Sequence, residues 1–171
     1  MTDLEIHRYY NYYIWVIKSL QHDYESLILC GSYPLMIDEK MPKRWTQDVD
    51  FVLNAKDFEK LRQDDRLTVM NEDHYVQEIN KKDKYKSYHS FFRPYAGGAT
   101  NANVNFLVFD DEVELEYTYI CGENAHLFKS QPIDTILQWK QKYNRKKDKE
   151  DLNNIANKEI EAILAEKMEE Q

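Results

Sequence analysis

The segment from Leu27 to Leu53 constrains the fold of this chain more than any other stretch of its sequence. It opens with a short apolar run, 27–30, that has the length and composition of a buried strand. Gly31-Ser32 follows at once, and residues 33–41 are able to form a short helix. Residues 47–53 then form a second candidate strand with acidic side chains near its start. The pattern predicts two neighbouring strands connected by a tight turn and a helix.

Two aspartates mark the start of the second predicted strand. Because side chains alternate along a strand, we expect Asp48 and Asp50 side by side on one face. Two such carboxylates repel each other and raise a pKa unless a cation lies between them. Oxygen ligands in this arrangement suit Mg²⁺, which takes one or two carboxylates together with substrate phosphates. Taken alone, Asp-x-Asp is more often a solvated strand edge, and it is the preceding strand, turn and helix that favour a metal site.

The Gly31-Ser32 step is a candidate phosphate site. A glycine at the end of a strand lets the backbone approach a ligand closely. The helix after it offers unpaired N–H groups and the positive end of its dipole. A phosphate held at Gly31 and Ser32, and linked through Mg²⁺ to the two aspartates, makes a coherent nucleoside triphosphate site. The alternative is an ordinary turn.

The order strand, Gly-Ser, helix, Arg-x-Thr-x-Asp-Val-Asp resembles the polymerase-β-type nucleotidyltransferase superfamily. The likeness is to its small bacterial and phage members, namely AbiEii-like proteins, MNT-type proteins and lincosamide nucleotidyltransferases. The residues that carry it are Gly31, Ser32, Arg44, Thr46, Asp48 and Asp50. The resemblance implies nucleotide-binding roles for the first four and metal-binding, catalytic roles for the aspartates. We expect Arg44 to contact phosphate or to pair with Asp48 or Asp50, and Thr46 to help fix the turn.

A third acidic residue, which the resemblance implies on a later strand, is absent at the matching position. That strand is predicted at 103–109, and Asn105 stands where the acid would be. An asparagine offers a neutral carbonyl oxygen that is able to ligate Mg²⁺ weakly, but it is not a general base. Three outcomes are open. Asp48 and Asp50 alone hold one Mg²⁺; another acid reaches the site, for which the candidates are Glu78, Asp110 and Glu114; or the protein binds a nucleotide without turning it over.

Two helices are predicted at the C-terminal end, from 130 to 143 and from the 144–152 segment onward. Their sequence is similar to the Lys…Arg-x-Lys-Asp-x-x-Asp-Leu pattern of AbiEii-like proteins, with matches at Lys140, Lys147, Asp148 and Asp151. The resemblance implies that Lys140 faces the triphosphate as a catalytic residue and that Lys147-Asp148 orders the turn between the helices. We expect Lys147 to bind the nucleotide as well. A lysine so placed neutralises phosphate charge during transfer. The alternative is that these basic residues form a solvated helix face.

The flanking segments predict regular elements around the site. Thr2 and Glu5 match a capping box at the start of a helix that runs to about His22. Two strands, at 88–94 and 103–109, are joined by a turn that contains Gly97 and Gly98. Cys30 and Cys121 lie in no Cys-x-x-Cys pair, and we expect both to be reduced, buried thiols.

Length and charge limit the classes of function. A chain of 171 residues suits a single domain, here a core at about 24–120 and a helical part at about 131–171. The formal net charge of −8 argues against a general nucleic-acid coat protein. There is no run of eighteen apolar residues and no signal peptide, so we expect a cytoplasmic protein with no membrane partner.

The sequence therefore predicts a mixed α/β (α+β) nucleotidyltransferase fold, in which a short mixed sheet is flanked by helices. The expected activity is Mg²⁺-dependent transfer of NMP from an NTP to a hydroxyl of tRNA, protein or a small molecule. The alternatives are a catalytically degenerate protein that binds a nucleotide or a partner, and a toxin or antitoxin component. A toxin that modifies tRNA would arrest growth unless Asp48 is replaced. The partner in such a system would be a cognate protein or a second copy of the chain.

Overall fold

The computed structural model describes residues 1–71, 76–78, 84–94 and 101–170. The helices are α1 Asp3–Asp23, α2 Tyr33–Ile37, α3 Ala55–Leu61, α4 Ile133–Tyr143 and α5 Lys146–Glu169, with a 3₁₀ turn at Glu123–Ala125. The strands are β1 Ile28–Cys30, β2 Val49–Asn54, β3 Leu67–Asn71, β4 Val76–Glu78, β5 Lys84–Phe92, β6 Ala102–Phe109, β7 Thr118–Cys121 and β8 Leu127–Ser130. None of the helices in these ranges combines the length and the apolar character needed to cross a membrane.

The strands form one mixed sheet at the centre of the chain. Their order is β3-β5-β6-β2-β1-β8-β7, and β4 pairs with β5 outside this path. The β2–β6 and β1–β8 pairs are parallel, whereas the other pairs are antiparallel. This architecture confirms the predicted mixed α/β class with helices around a mixed sheet.

Side-chain alternation divides the sheet into two faces. One face carries Phe51 of β2 and Phe106 of β6, which stack on each other and pack against α1 and α3 in the larger core cluster. The other face carries Cys30 and Val52, which pack in a smaller cluster that Trp139 of α4 helps to cover. Asp50 and Asn105 directly precede Phe51 and Phe106 in their strands, so both project from the opposite face, the one on which α4 lies.

The elements around the Gly-Ser turn agree with the prediction in type and differ at their ends. Strand β2 begins at Val49, so Asp48 lies just before it. Helix α2 ends at Ile37 and not at the predicted Met41. The reason is Glu39, whose φ of 55° turns the chain out of the helix, after which the N–H of Lys40 donates to the carbonyl of Leu35 at 2.8 Å.

The predicted N-terminal helix and hairpin strands are confirmed. In α1, the hydroxyl of Thr2 accepts the N–H of Glu5 while the carboxylate of Glu5 accepts the N–H of Thr2, both at 3.2 Å. Strands β5 and β6 pair in antiparallel fashion, although β5 begins earlier than predicted. The expected turn residues Gly97 and Gly98 lie outside the described residues.

The prediction that both cysteine thiols are buried is wrong for Cys121. Both cysteines are free, and Cys30 is buried whereas Cys121 is exposed. Cys121 ends β7, a strand at the edge of the sheet whose side chains are exposed except for Ile120. An edge strand covered on one face leaves its alternate side chains in solvent.

Candidate functional site

The site is built on a row of side chains that crosses four adjacent strands. In the sheet register, Cys30 of β1 is opposite Asp50 of β2, Asp50 is opposite Asn105 of β6, and Asn105 is opposite His89 of β5. Residues in register across neighbouring strands project from the same face. Asp48 joins the row from the residue before β2, because the side-chain amide of Asn105 donates to its Oδ2 at 2.7 Å.

The two aspartates are costly to keep ionised in the absence of a cation. Burial, and then the neighbouring carboxylate of Asp48, raise the pKa of Asp50 to about 7. Burial also raises the pKa of Asp48 above its usual value, and the positive charge of Lys147 opposes that shift. A divalent cation would reverse both effects, since it favours the ionised forms.

Gly31 is required by the close approach of its backbone to Asp50. Its φ is +74°, a left-handed conformation that favours glycine. A Cβ at this position would lie only 2.6 Å from Oδ2 of Asp50. The turn after β1 and the carboxylate on β2 are therefore in contact.

Ser32 lies in a partly buried polar network that joins the turn to the C-terminal helices. The Arg44 guanidinium donates two hydrogen bonds to the carboxylate of Asp151, both at 2.8 Å, and a third to the hydroxyl of Ser32 at 2.9 Å. Nζ of Lys140 donates to Asp151 at 2.9 Å and to Ser32 at 3.2 Å. Arg44 thus pairs with Asp151. The expectation that it pairs with Asp48 or Asp50 is wrong. We call Ser32, Arg44, Lys140 and Asp151 the polar network.

Burial and pairing explain the charge state of this network. Lys140 and Asp151 are 5% and 1% exposed. Burial alone would raise the pKa of Asp151, but hydrogen bonds from Arg44 and Lys140 hold that pKa below its usual value. Arg44 and Lys140 both pair with Asp151, so the four residues of the network carry a net positive charge beside the Gly-Ser turn. Lys140 also lies 3.7 Å from a second buried carboxylate, that of Asp148.

The turn between α4 and α5 is fixed by Asp148, in line with the ordering role that the resemblance implies. Its carboxylate accepts the backbone N–H of Arg145 at 3.1 Å and Nε of the same residue at 2.7 Å. Asp148 is fully buried and lies 3.7 Å from Nζ of Lys140. Lys147, the adjacent predicted site residue, is exposed.

Thr46 makes a structural contact with the first residue of α2. It is buried, and its hydroxyl donates to the hydroxyl of Tyr33 at 3.0 Å. This bond ties the segment before β2 to the first residue of α2. The expectation that Thr46 fixes the turn thus has a direct physical basis.

A cavity of about 230 Å³ opens between the sheet face and α4. Asp50, Asn105, Lys140 and other polar groups line one part of it, and aromatic and aliphatic side chains line the rest. The lining residues are Cys30, Gly31, Asp50, Tyr85, Ser87, Asn105, Leu107, Gln131, Ile136, Trp139, Lys140, Tyr143 and Arg145. The rings of Tyr85 and Trp139 stack at 5.8 Å, which gives the cavity a flat aromatic wall.

The donor set fits a cation that is shared with a ligand. Among the residues that the structure describes, no cluster of three or more His, Cys, Asp and Glu side chains is placed to hold a metal ion alone. Two adjacent carboxylates are the ligands that a protein typically supplies to a Mg²⁺ site whose other ligands are substrate phosphates. Mg²⁺ therefore suits this pair better than a metal that needs a full protein cage.

Two of the other candidate acids, Asp110 and Glu114, do not complete the set. Asp110 follows the far end of β6, where the side-chain amide of Asn54 donates to its carbonyl, and its side chain is exposed. Glu114 is exposed as well. The side chain of Glu78 lies outside the described residues.

Several residues of the site were missed by the sequence reasoning. Gln131 is 6% exposed, and its Oε1 has no hydrogen-bond partner within the described part of the chain. His89 and Tyr85 enter the site from β5, and Trp139 enters from α4. The position of His89 follows only from the register of β5 on β6, which no local motif encodes.

Comparisons with known proteins assign no family to this chain. No protein-family model and no curated protein matches it. Among solved structures, the chain is similar to one described as "Crystal structure of JHP933 from Helicobacter pylori", with a TM-score of 0.40 and 10% identity. The match covers 82% of this chain but only 57% of that protein, and at this TM-score it supports no argument about the site.

Replacing Asp151 with alanine is expected to destabilise the protein by about 3 kcal/mol. The buried Lys140 loses its ion pair at 2.9 Å and keeps only the contact with Asp148 at 3.7 Å, and Arg44 loses both of its hydrogen bonds to the carboxylate. Urea denaturation of wild type and variant measures the change. Asp134→Ala, at an exposed acid in the first turn of α4, is the matched control and should change stability little. The apolar pair Lys140→Met/Asp151→Leu should recover much of the loss. If Asp151→Ala is as stable as the control, the network does not hold the C-terminal helices in place.

The raised pKa of Asp50 predicts a pH-dependent penalty in the metal-free protein. As pH rises from about 4 to about 7, Asp50 ionises in the unfolded chain but keeps its proton in the folded one, so its contribution to stability falls. Asp50→Asn removes this dependence. In thermal denaturation without divalent cations, the variant should gain several degrees over wild type between about pH 5 and about pH 8. A difference that is constant across this range would contradict the raised pKa.

Proposed function

We propose that this chain is a Mg²⁺-dependent nucleotidyltransferase of the polymerase-β type, which transfers NMP from an NTP to an acceptor hydroxyl. The observation that carries the proposal is the contact between the Gly31 turn and the aspartate pair. Gly31 approaches Asp50 so closely that no Cβ fits, and Asp48 and Asp50 lie together with raised pKa values. This arrangement suits phosphate oxygens brought to a divalent cation.

The charges around the turn support a triphosphate ligand. Lys140 and Arg44 both pair with Asp151 and both contact the hydroxyl of Ser32. Arg145 lines the cavity, and Lys147 is close enough to Asp48 to lower the pKa of that residue. Four cations near one turn are expected to stabilise the negative charge of phosphates in the ground state and in the transition state.

The cavity supports a binding place for the nucleoside part of the substrate. Its volume of about 230 Å³ is below the roughly 300–1,000 Å³ of pockets that enclose a whole drug-sized ligand. We therefore assign to it the base and ribose, with the base against Tyr85 and Trp139. The triphosphate then lies at the polar part of the cavity, against Gly31 and Asp50.

In the proposed reaction, the acceptor oxygen forms a bond to the α-phosphorus while the bond to the leaving oxygen breaks. Pyrophosphate departs with the electron pair of that bond, and the acceptor proton passes to a carboxylate or to water. When bound, Mg²⁺ would supply charge neutralisation between the phosphates and Asp48 and Asp50. The chain contributes mainly positioning and electrostatics, which suffice for much of phosphoryl-type transfer.

A second function, nucleotide sensing without turnover, is favoured by one specific observation. Asn105 occupies the register position opposite Asp50, and its amide donates to Asp48. An amide at this position accepts no proton from an attacking hydroxyl. A protein of this type would bind the nucleotide and respond to it through the α4–α5 turn.

Transfer of label from α-labelled NTPs tests the function. Each of the four NTPs is incubated with Mg²⁺ and with one acceptor class at a time. The classes are total tRNA, cell protein, and small molecules with free hydroxyl groups, of the aminoglycoside or lincosamide type. Wild type is expected to label one acceptor class, and Asp48→Ala/Asp50→Ala to reduce labelling by about 100-fold or more, since it removes the groups that bind the metal. Asp110→Ala, at an exposed acid beyond the far end of β6, is the matched control and should retain activity.

The outcomes separate the two functions. Mg²⁺-dependent nucleotide binding that the double variant abolishes, without labelling of any acceptor class, would favour the sensor. Labelling that survives the double variant would contradict the assignment of Asp48 and Asp50. Absence of nucleotide binding in wild type would contradict both functions.

A further inference from the structure

Three side chains from neighbouring segments form a chain of hydrogen bonds that ends on a candidate metal ligand. Nδ1 of His89 lies 2.7 Å from Oδ1 of Asn105. Nδ2 of Asn105 donates to Oδ2 of Asp48, also at 2.7 Å. All three side chains are half-buried, and His89 and Asn105 face each other in the β5–β6 register.

The chemistry of the donors and acceptors fixes the direction of this chain. An ionised Asp48 only accepts hydrogen bonds, so the nitrogen of the Asn105 amide must face it. The amide oxygen then faces His89, and because this oxygen also only accepts, Nδ1 of His89 must carry a proton. The opposite orientation of the amide would bring its oxygen against the carboxylate with no proton between them. Both distances are at the short end for N–H···O hydrogen bonds.

We propose that His89 is a positioning residue for the metal site, and that it acts through Asn105 on Asp48. The Nδ1–H of His89 holds the Asn105 amide, the amide holds Oδ2 of Asp48, and the carboxylate is left with its other oxygen available for the cation. In this arrangement Asn105 serves as a donor to a ligand and not as a ligand itself. The inference rests on the proposed function to the extent that the site takes a divalent cation.

The geometry explains how the site operates with two carboxylates. Asp48 lies before β2, where no strand pairing restrains it, and its side chain would otherwise be free to turn away from Asp50. Carboxylates that ligate metals are commonly held by such hydrogen bonds, and loss of an outer partner lowers metal affinity by about 10–100-fold. Fixing Asp48 before the cation arrives removes part of the ordering cost of binding.

Substitutions of His89 distinguish the effect of its N–H donor from the effect of side-chain size. In asparagine, Nδ2 is attached to Cγ as Nδ1 is in histidine, so His89→Asn keeps a donor at the same place. His89→Gln moves the donor one bond further out, and His89→Leu removes it. A merely structural role would be sensitive to the size of the side chain but would not rank these variants by the position of an N–H group.

The first test is Mn²⁺ binding, with free Mn²⁺ measured by electron paramagnetic resonance and no nucleotide present. His89→Leu and His89→Gln are expected to weaken binding about 10-fold or more, and His89→Asn to remain within about 3-fold of wild type. His22→Leu, at an exposed histidine of α1, is the control and should bind as wild type does. Equal affinity in wild type and His89→Leu would overturn the role of His89 but not the proposed metal site. Absence of Mn²⁺ binding in wild type would overturn the metal site as well.

The second test reads the proton on His89 directly and does not depend on metal binding. Long-range ¹H–¹⁵N spectra at about pH 8, where an ordinary imidazole is neutral, distinguish the two tautomers. We expect the His89 signal, assigned by its loss in His89→Asn, to show the Nδ1–H form. Asn105→Ala should abolish this preference. A Nε2–H form in wild type would overturn the proposed chain of hydrogen bonds.

Discussion

The buried pairing of Asp151 with Arg44 and Lys140 is the interaction on which the arrangement of the site depends. Asp151 is 1% exposed and accepts hydrogen bonds from both cations, which in turn reach the hydroxyl of Ser32. Beyond Ile155, α5 buries no further side chain, so its attachment to the rest of the protein is concentrated near its start. Because a buried charge left without its partner is strongly destabilising, the network rigidly connects the Gly-Ser turn to the C-terminal helices.

The polar network is a positively charged region, and it lies beside the negatively charged pair of aspartates. The polar network carries two cations for one carboxylate, whereas the row on the sheet brings Asp48 and Asp50 together and raises their pKa values through burial. An anion fits at the first region and a cation at the second. A triphosphate with Mg²⁺ satisfies both at once, which is why the proposed function accounts for the turn, the aspartates and the C-terminal lysine together.

The parts of this description that were predictable from sequence are those with local signals. The capping box of Thr2, the apolar run before Gly31 and the pair Asp48 and Asp50 are each contained in a few residues. The predicted strand alternation does not extend to Asp48, which precedes β2 and is held by Asn105. Of the two expectations for Arg44, pairing with Asp48 or Asp50 is wrong. Its partner Asp151 is 107 positions away, and only the docking of α5 brings the two residues together. His89 was missed because its relation to Asn105 is set by strand register. Cys121 was misjudged because the pattern of a short strand does not reveal that the strand is at the edge of a sheet.

The most direct test of the central claim is the position of Mn²⁺ in crystals grown with Mn²⁺ and a non-hydrolysable ATP analogue. Anomalous scattering locates the ion without reference to any assumed mechanism. We expect an anomalous peak coordinated by the carboxylates of Asp48 and Asp50 and by phosphate oxygens, with the phosphates against the Gly31 turn. A nucleotide bound elsewhere, or a peak that does not touch either aspartate, would contradict the account.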